Sequence, residues 1–230
     1  MTNTAIPPVT RHPSLVTEPP IGLLGGTFDP IHHGHLRLAE EMAEALGIES
    51  VRILPTGTPA HRGQPHASAR DRLEMVKLAI AGQSRFMLDE HEIDKTAPCY
   101  MVDTLAELRN ELGTDRAIVL FLGADACAGL AGWHQWRRLF DLAHIAVAQR
   151  PGYDLEQAMP PALVAELRTR STADPADLAR TPAGKVFRHA ITQLDISASR
   201  IRALVAAGRS PRYLLPDAVL DHIQRNHLYR

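Results

Sequence analysis

Several features that would place a chain quickly are scarce in this sequence. Only two cysteines, Cys99 and Cys127, occur in 230 residues. That is too few for a disulfide framework or, by themselves, a zinc ligand set, so a reducing compartment is expected. No apolar run reaches the roughly 18 to 20 residues of a membrane span, and the N-terminus lacks the charged-then-apolar pattern of a secretory signal. The cytoplasm is the expected location by elimination. Neither sign of charge dominates, because 25 basic and 26 acidic side chains give a formal net charge of -1. A globally basic surface of the kind that grips nucleic acid is therefore absent, and any phosphate site must be local. Internal repeats and low-complexity blocks are also missing.

What remains is ordinary for a soluble globular protein, with 45% hydrophobic and 22% charged residues. The length suits one sizeable domain, and no shift in composition divides it. Five prolines (Pro7, Pro8, Pro13, Pro19 and Pro20) fall in the first 20 residues with Thr and Ser between them. This stretch cannot hold a helix and lacks apolar periodicity. It reads as a disordered tail over residues 1–20 ahead of a single domain over 21–230.

Short apolar runs at 21–25, 50–54, 85–88, 117–122, 143–148 and 185–189 read as strands. Between and after them, 34–46, 69–81, 102–112, 161–169, 199–207 and 217–225 read as helices. Strands alternating with helices predict an α/β fold, a parallel sheet with right-handed crossovers. The stretch 151–182, rich in Pro, Ala, Asp and Arg, reads as a surface excursion around one helix.

Two segments carry chemistry. The first, Gly25-Gly26-Thr27-Phe28-Asp29-Pro30-Ile31-His32-His33-Gly34-His35, lies between the first strand and the first helix, where open parallel sheets bind ligands. Paired glycines let backbone N–H groups approach an anion, and the helix start adds unpaired donors and a partial positive charge. His32 and His35, three apart, share a helix face and can touch one group. Near phosphates the charged imidazole is favoured, since its ordinary pKa of about 6.5 lies close to neutrality. Taken alone, the same letters also describe a structural turn followed by polar helix residues. Zinc is a further alternative, but no neighbouring Cys, Asp or Glu completes a convincing tetrahedral set.

The second segment, Ile196-Ser197-Ala198-Ser199-Arg200-Ile201-Arg202, places a helix-capping serine ahead of two arginines. Hydroxyls, helix N–H groups and a guanidinium make another anion site. In isolation it is an ordinary N-cap.

Together these segments resemble the HxGH and ISxTxIR signatures of the nucleotidyltransferase superfamily, and the surrounding sequence is similar to the bacterial nicotinate-nucleotide adenylyltransferase family. The likeness runs from about 21 to 230 through PTGTPAHR (55–62), APCY (97–100), LGAD (122–125), Trp133, QRPGY (149–153) and the closing LYR. It implies a Rossmann-like parallel sheet with helices on both faces, on which ATP and nicotinate mononucleotide meet, with Mg²⁺ accompanying ATP. By resemblance, His32, His35 and Arg202 are catalytic and contact the triphosphate together with Ser197, Ser199 and Ile196. Gly25, Gly26, Thr27 and Phe28 supply the glycine loop, while Gly123 and Asp125 receive the ATP ribose. Thr58, His61, Arg62, Trp133, His134 and Arg150 are implied on the acceptor side, with Trp133 stacking on the pyridine ring. A helix cap for Asp125, a core role for Trp133 and solvated loop positions for the arginines are the alternatives. The sequence departs from the family at Cys99-Tyr100-Met101, where relatives often read Ser-Tyr-Thr, and at His134, where a phenol is frequent. Ser199 stands at the Thr position and keeps its hydroxyl.

Overall fold

The computed structural model describes residues 18–60, 63–149 and 155–230. Among them seven strands form one sheet: β1 (Ile21–Gly26), β2 (Ser50–Pro55), β3 (Phe86–Leu88), β4 (Ile118–Gly123), β5 (His144–Gln149), β6 (Ser171–Thr172) and β7 (Val186–Ala190). The strand order is β3-β2-β1-β4-β5-β7-β6, and every pairing is parallel. The helices are α1 (His33–Leu46), α2 (Ala69–Ile80), α3 (Met101–Leu112), α4 (Ala124–Ala128), α5 (Leu139–Leu142), α6 (Pro161–Arg170), α7 (Ala198–Ala206) and α8 (Asp217–Arg225). Of the tail expected over 1–20, residues 1–17 lie outside the described residues. Within the remainder, Arg116 Nε donates to the Pro19 carbonyl at 3.1 Å and Arg116 pairs with Glu18 at 3.2 Å.

Both faces of the central strands are covered, which is why they read as continuous apolar runs and not as alternating ones. On β4, Val119 and Phe121 join the apolar cluster built with α1, α2, α7 and α8, while Ile118, Leu120 and Leu122 join the one built with α3, α4, α5 and α6. The two-residue period of a strand sorts them in this way. Gly22 on β1 makes room for its neighbour, since a Cβ there would sit 2.7 Å from Phe121 Cζ.

The periodic elements appear where the sequence places them, within a residue or two at each end. The short α4, α5 and β6 were not anticipated; each is too brief to carry a period. The excursion after β5 is more than surface loop. It returns β6 to the sheet edge beside β7.

His144, fully buried on β5, fastens this return. Its Nε2 lies 2.6 Å from the Thr181 carbonyl, and its Nδ1 accepts the Lys185 N–H at 3.0 Å. Burial holds the ring neutral, lowering its pKa from 6.5 to about 4 against the opposing Thr181 hydrogen bond. The unfolded chain binds this proton more readily, so the contribution is complete above pH 6.5 and is lost as the pH falls through about 4. The size is on the order of 3 kcal/mol. We expect the urea midpoint to fall between pH 7 and pH 4.5, and His144→Gln, weaker at pH 7, to show a shallower acid loss. Parallel pH curves for the two proteins would show that His144 does not carry the effect.

Candidate active site

From β1 the chain winds outward through β2 to β3, then returns to lay β4 on the other side of β1. Connections leaving in opposite directions open a crevice at the carboxyl ends of β1 and β4. A cleft of about 820 Å³ fills it. This is near the upper end of the roughly 300–1,000 Å³ usual for small-molecule sites. Gly25, Gly26, Thr27 and Phe28 line one wall with His32 and His35. Gly123 and Asp125 come from the end of β4, Ile196 and Arg202 from the α7 region, and Trp133 and His134 from the β4–β5 connection.

The two histidines are placed by the start of α1. His32 is the N-cap and His35 occupies the third helical position, so the rings stack with centroids 3.7 Å apart and planes 22° off parallel. The His32 backbone N–H donates to His35 Nδ1 at 3.3 Å. In the neutral ring, Nε2 of His35 then carries the proton. The buried Phe28 ring stands edge-on to His35, centroids 5.1 Å apart, and fixes its tilt. Gly34 leaves room beside the His32 ring, where a Cβ would make a tight contact of 3.1 Å.

His32 is only 5% exposed. Burial, reinforced by repulsion from His33, lowers its pKa to about 4. Without a phosphate beside it the imidazole is therefore neutral, because the cost of burying a cation outweighs its nearness to neutrality in water. Its Nδ1 is buried with no hydrogen-bond partner. It faces the space over Gly34 and not the open cleft.

Beneath the histidines, Asp29 gathers three other segments. It is buried, and it accepts from His66 N at 2.8 Å, Ala67 N at 3.1 Å and the Tyr229 hydroxyl at 2.8 Å. Its own carbonyl accepts from Arg202 Nη1 at 2.7 Å. Burial works against the carboxylate, but the N–H groups of His66 and Ala67, the phenol and Arg202 outweigh it and lower its pKa. Next to this, Arg72 of α2, 1% exposed, donates to the carbonyls of Thr27 (2.7 Å), Thr56 (2.5 Å) and Gly57 (2.8 Å). Asp29, Arg72 and Tyr229 were given no role by the sequence. Only the closing LYR hinted at the last of them.

Ser197 caps α7 as its position suggested, accepting from Arg200 N at 3.3 Å, with Ser199 Oγ 3.2 Å away. Neither serine lines the cleft, although Ile196 and Ala198 on either side of the cap do. Thr58 also stands off the cleft, donating to the Lys95 carbonyl at 3.2 Å. Trp133 is half-buried, and the His134 ring lies 4.6 Å from that of Tyr100. Cys99 is buried with its thiol toward the Glu92 carbonyl at 3.8 Å, and Met101 lines the cleft. Glu92, unassigned from sequence, also faces the cleft; it is 1% exposed and accepts from Thr104 Oγ1 at 2.5 Å, and burial raises its pKa. His61, Arg62 and Arg150 lie outside the described residues.

The family model described as cytidylyltransferase-like matches residues 23–204, a span that takes in both histidines and Arg202. A parallel sheet with this crevice and these two motifs is of the nucleotidyltransferase type. A relative in Dechloromonas aromatica named "Probable nicotinate-nucleotide adenylyltransferase" is 54% identical over 92% of this chain and 98% of its own length. One of the same name in Chromobacterium violaceum is 47% identical over 91% and 98%. Among solved structures, the nicotinic acid mononucleotide adenylyltransferase of Plasmodium falciparum complexed with NaAD shares the fold, with a TM-score of 0.66 at 16% identity over 92% of this chain and 98% of that one. The chain belongs to the nicotinate-nucleotide adenylyltransferase family.

The Arg72 contacts imply a measurable cost. Arg72→Met would leave three buried carbonyls without a donor, and we expect it to lower unfolding free energy by about 3 kcal/mol. A denaturant titration showing a loss under about 1 kcal/mol would mean that water satisfies those carbonyls in the variant.

Proposed function

We propose that this chain transfers AMP from ATP to nicotinate mononucleotide, releasing pyrophosphate and giving deamido-NAD in NAD biosynthesis. The observation that carries this reading is the convergence of His32, His35, the glycine loop and Arg202 on one cleft at the switch between β1 and β4. Membership of the family supports the choice of substrates. A phosphate oxygen of the mononucleotide attacks the α-phosphorus of ATP, and the bond from that phosphorus to the pyrophosphate oxygen breaks in line. The acceptor brings its own nucleophile, so the protein contributes orientation and charge stabilisation.

In this reading His32 and His35, both catalytic, donate N–H groups to phosphate oxygens, and the backbone of Gly25, Gly26, Thr27 and Phe28 borders the triphosphate. Arg202, held by the Asp29 carbonyl through Nη1, turns its remaining N–H groups to a phosphate oxygen, with Ser197, Ser199 and Ile196 at the helix start beside it. Gly123 and Asp125 take the ATP ribose. Trp133 and His134 face the pyridine end, and Thr58, His61, Arg62 and Arg150 complete the acceptor side. Among the described residues no group of three or more His, Cys, Asp or Glu gathers to hold a metal. Nucleotidyltransferases generally use a divalent ion, and in this reading Mg²⁺ accompanies ATP as the MgATP substrate and neutralises its phosphates. No helix among the described residues is long and apolar enough to cross a membrane. Two free, buried thiols, Cys99 and Cys127, accord with a reducing cytoplasm.

The assay is pyrophosphate release from MgATP with nicotinate mononucleotide, nicotinamide mononucleotide or phosphopantetheine supplied separately. Strong preference for nicotinate mononucleotide is expected. Preference for another acceptor would move the chain to a sister activity, and no release with any would leave a nucleotide-binding protein without turnover.

His35→Ala should lower kcat by roughly 100- to 1,000-fold, the usual effect of deleting a donor that acts in the transition state. The fold should be retained. Unchanged turnover in this variant would remove His35 from the catalytic assignment.

A further inference from the structure

Asp29 is the point where the glycine loop, the start of α2, α7 and the segment after α8 meet, and three of its four partners are easily explained. The His66 and Ala67 N–H groups belong to the turn that leads into α2, and Arg202 belongs to the proposed triphosphate site. The fourth, the Tyr229 hydroxyl, comes from a segment with no residue lining the cleft. Bringing it there is costly. His227 (φ 53°) and Tyr229 (φ 64°) both adopt the left-handed backbone region that favours glycine. Such a conformation is uncommon in a side chain as large as tyrosine and persists only where the surroundings impose it. The half-buried Tyr229 sets its phenol against Asp29, in the same charge cluster as Arg72 and Arg202.

We propose that Tyr229 is a positioning residue for the triphosphate site, acting through Asp29 to hold Arg202 and the loop before His32 in register. The hydroxyl fills Oδ1 alongside Ala67 N, which fixes the carboxylate plane and with it the Asp29 main chain. That main chain presents the carbonyl to which Arg202 is bound, and Arg202 Nη1 lies 3.8 Å from Oδ2. Without the hydroxyl, Asp29 loses one of its donors and the guanidinium loses its fixed point. This rests on the assignment of Arg202 to ATP made above.

The test is a double-mutant cycle read in kcat/KM for ATP, with Tyr229→Phe made in the native chain and in Arg202→Ala. All four proteins are assayed well below their melting midpoints, so that a change in stability does not enter the rates. Residues that act through one another give non-additive effects. We expect Tyr229→Phe to cost about tenfold in the native chain and less than twofold in Arg202→Ala. An equal loss in both backgrounds, or no loss in the first, overturns the proposal and leaves Tyr229 as packing only. If the native chain releases no pyrophosphate, the functional reading fails separately. The same cycle, measured as MgATP dissociation constants by calorimetry, then decides the role of Tyr229 with the same criteria.

Discussion

A cation buried beneath the cleft floor is the constraint on which this site depends. The Arg72 guanidinium is withdrawn from water, and its hydrogen-bond partners are main-chain carbonyls from two different connections, the one after β1 and the one after β2. Burial lowers its pKa, and the nearby negative charge of Asp29 opposes that effect. Each side of this arrangement needs the other. Without the guanidinium the carbonyls of Thr27, Thr56 and Gly57 would be orphaned, and without Asp29 the cation would stand uncompensated in the interior. The helix carrying Arg72 is itself anchored, by the Ser68 cap at its start and by the contact of 3.3 Å between Asp71 and His222 of α8. The shape of the glycine loop is thereby tied to α2 and α8, which do not line the cleft.

This explains which parts of the molecule were legible in the sequence. The long helices and buried strands announced themselves through period and apolar runs, and their alternation gave the parallel sheet. Arg72 did not, because an arginine in the amphipathic segment 69–80 reads as solvated. Asp29 was visible as a letter of the first motif, yet its partners lie 37, 173 and 200 positions away. No local pattern records such distances. The cap at Ser197 was readable because capping is local; the neutrality of His32 was not, because it follows from burial, a tertiary property.

The neutral His32 changes how the first motif works. With His32 neutral, the stacked rings, centroids 3.7 Å apart, are spared the repulsion of two cations. The backbone N–H bound to His35 Nδ1 assigns its proton to Nε2. The motif so folded fixes the direction of both rings through the helix start, the stack and the Phe28 edge. Gly34 belongs to the same device. It leaves space beside the His32 ring, which a Cβ would approach to 3.1 Å.

The departures from the family pattern fall together at the other end of the cleft. Met101 lies against Gly25, close enough that a Cβ on the glycine would sit 2.7 Å from its terminal methyl. His134 leans on Tyr100, retaining a flat ring where a phenol is frequent, and the Cys99 thiol points to main chain. Changing a hydroxyl to a thioether at Met101 makes this end more apolar, and the nearby carboxyl of Glu92 is buried with its pKa raised. These departures exchange polar for apolar surface in the wall of the cleft while keeping a ring at position 134.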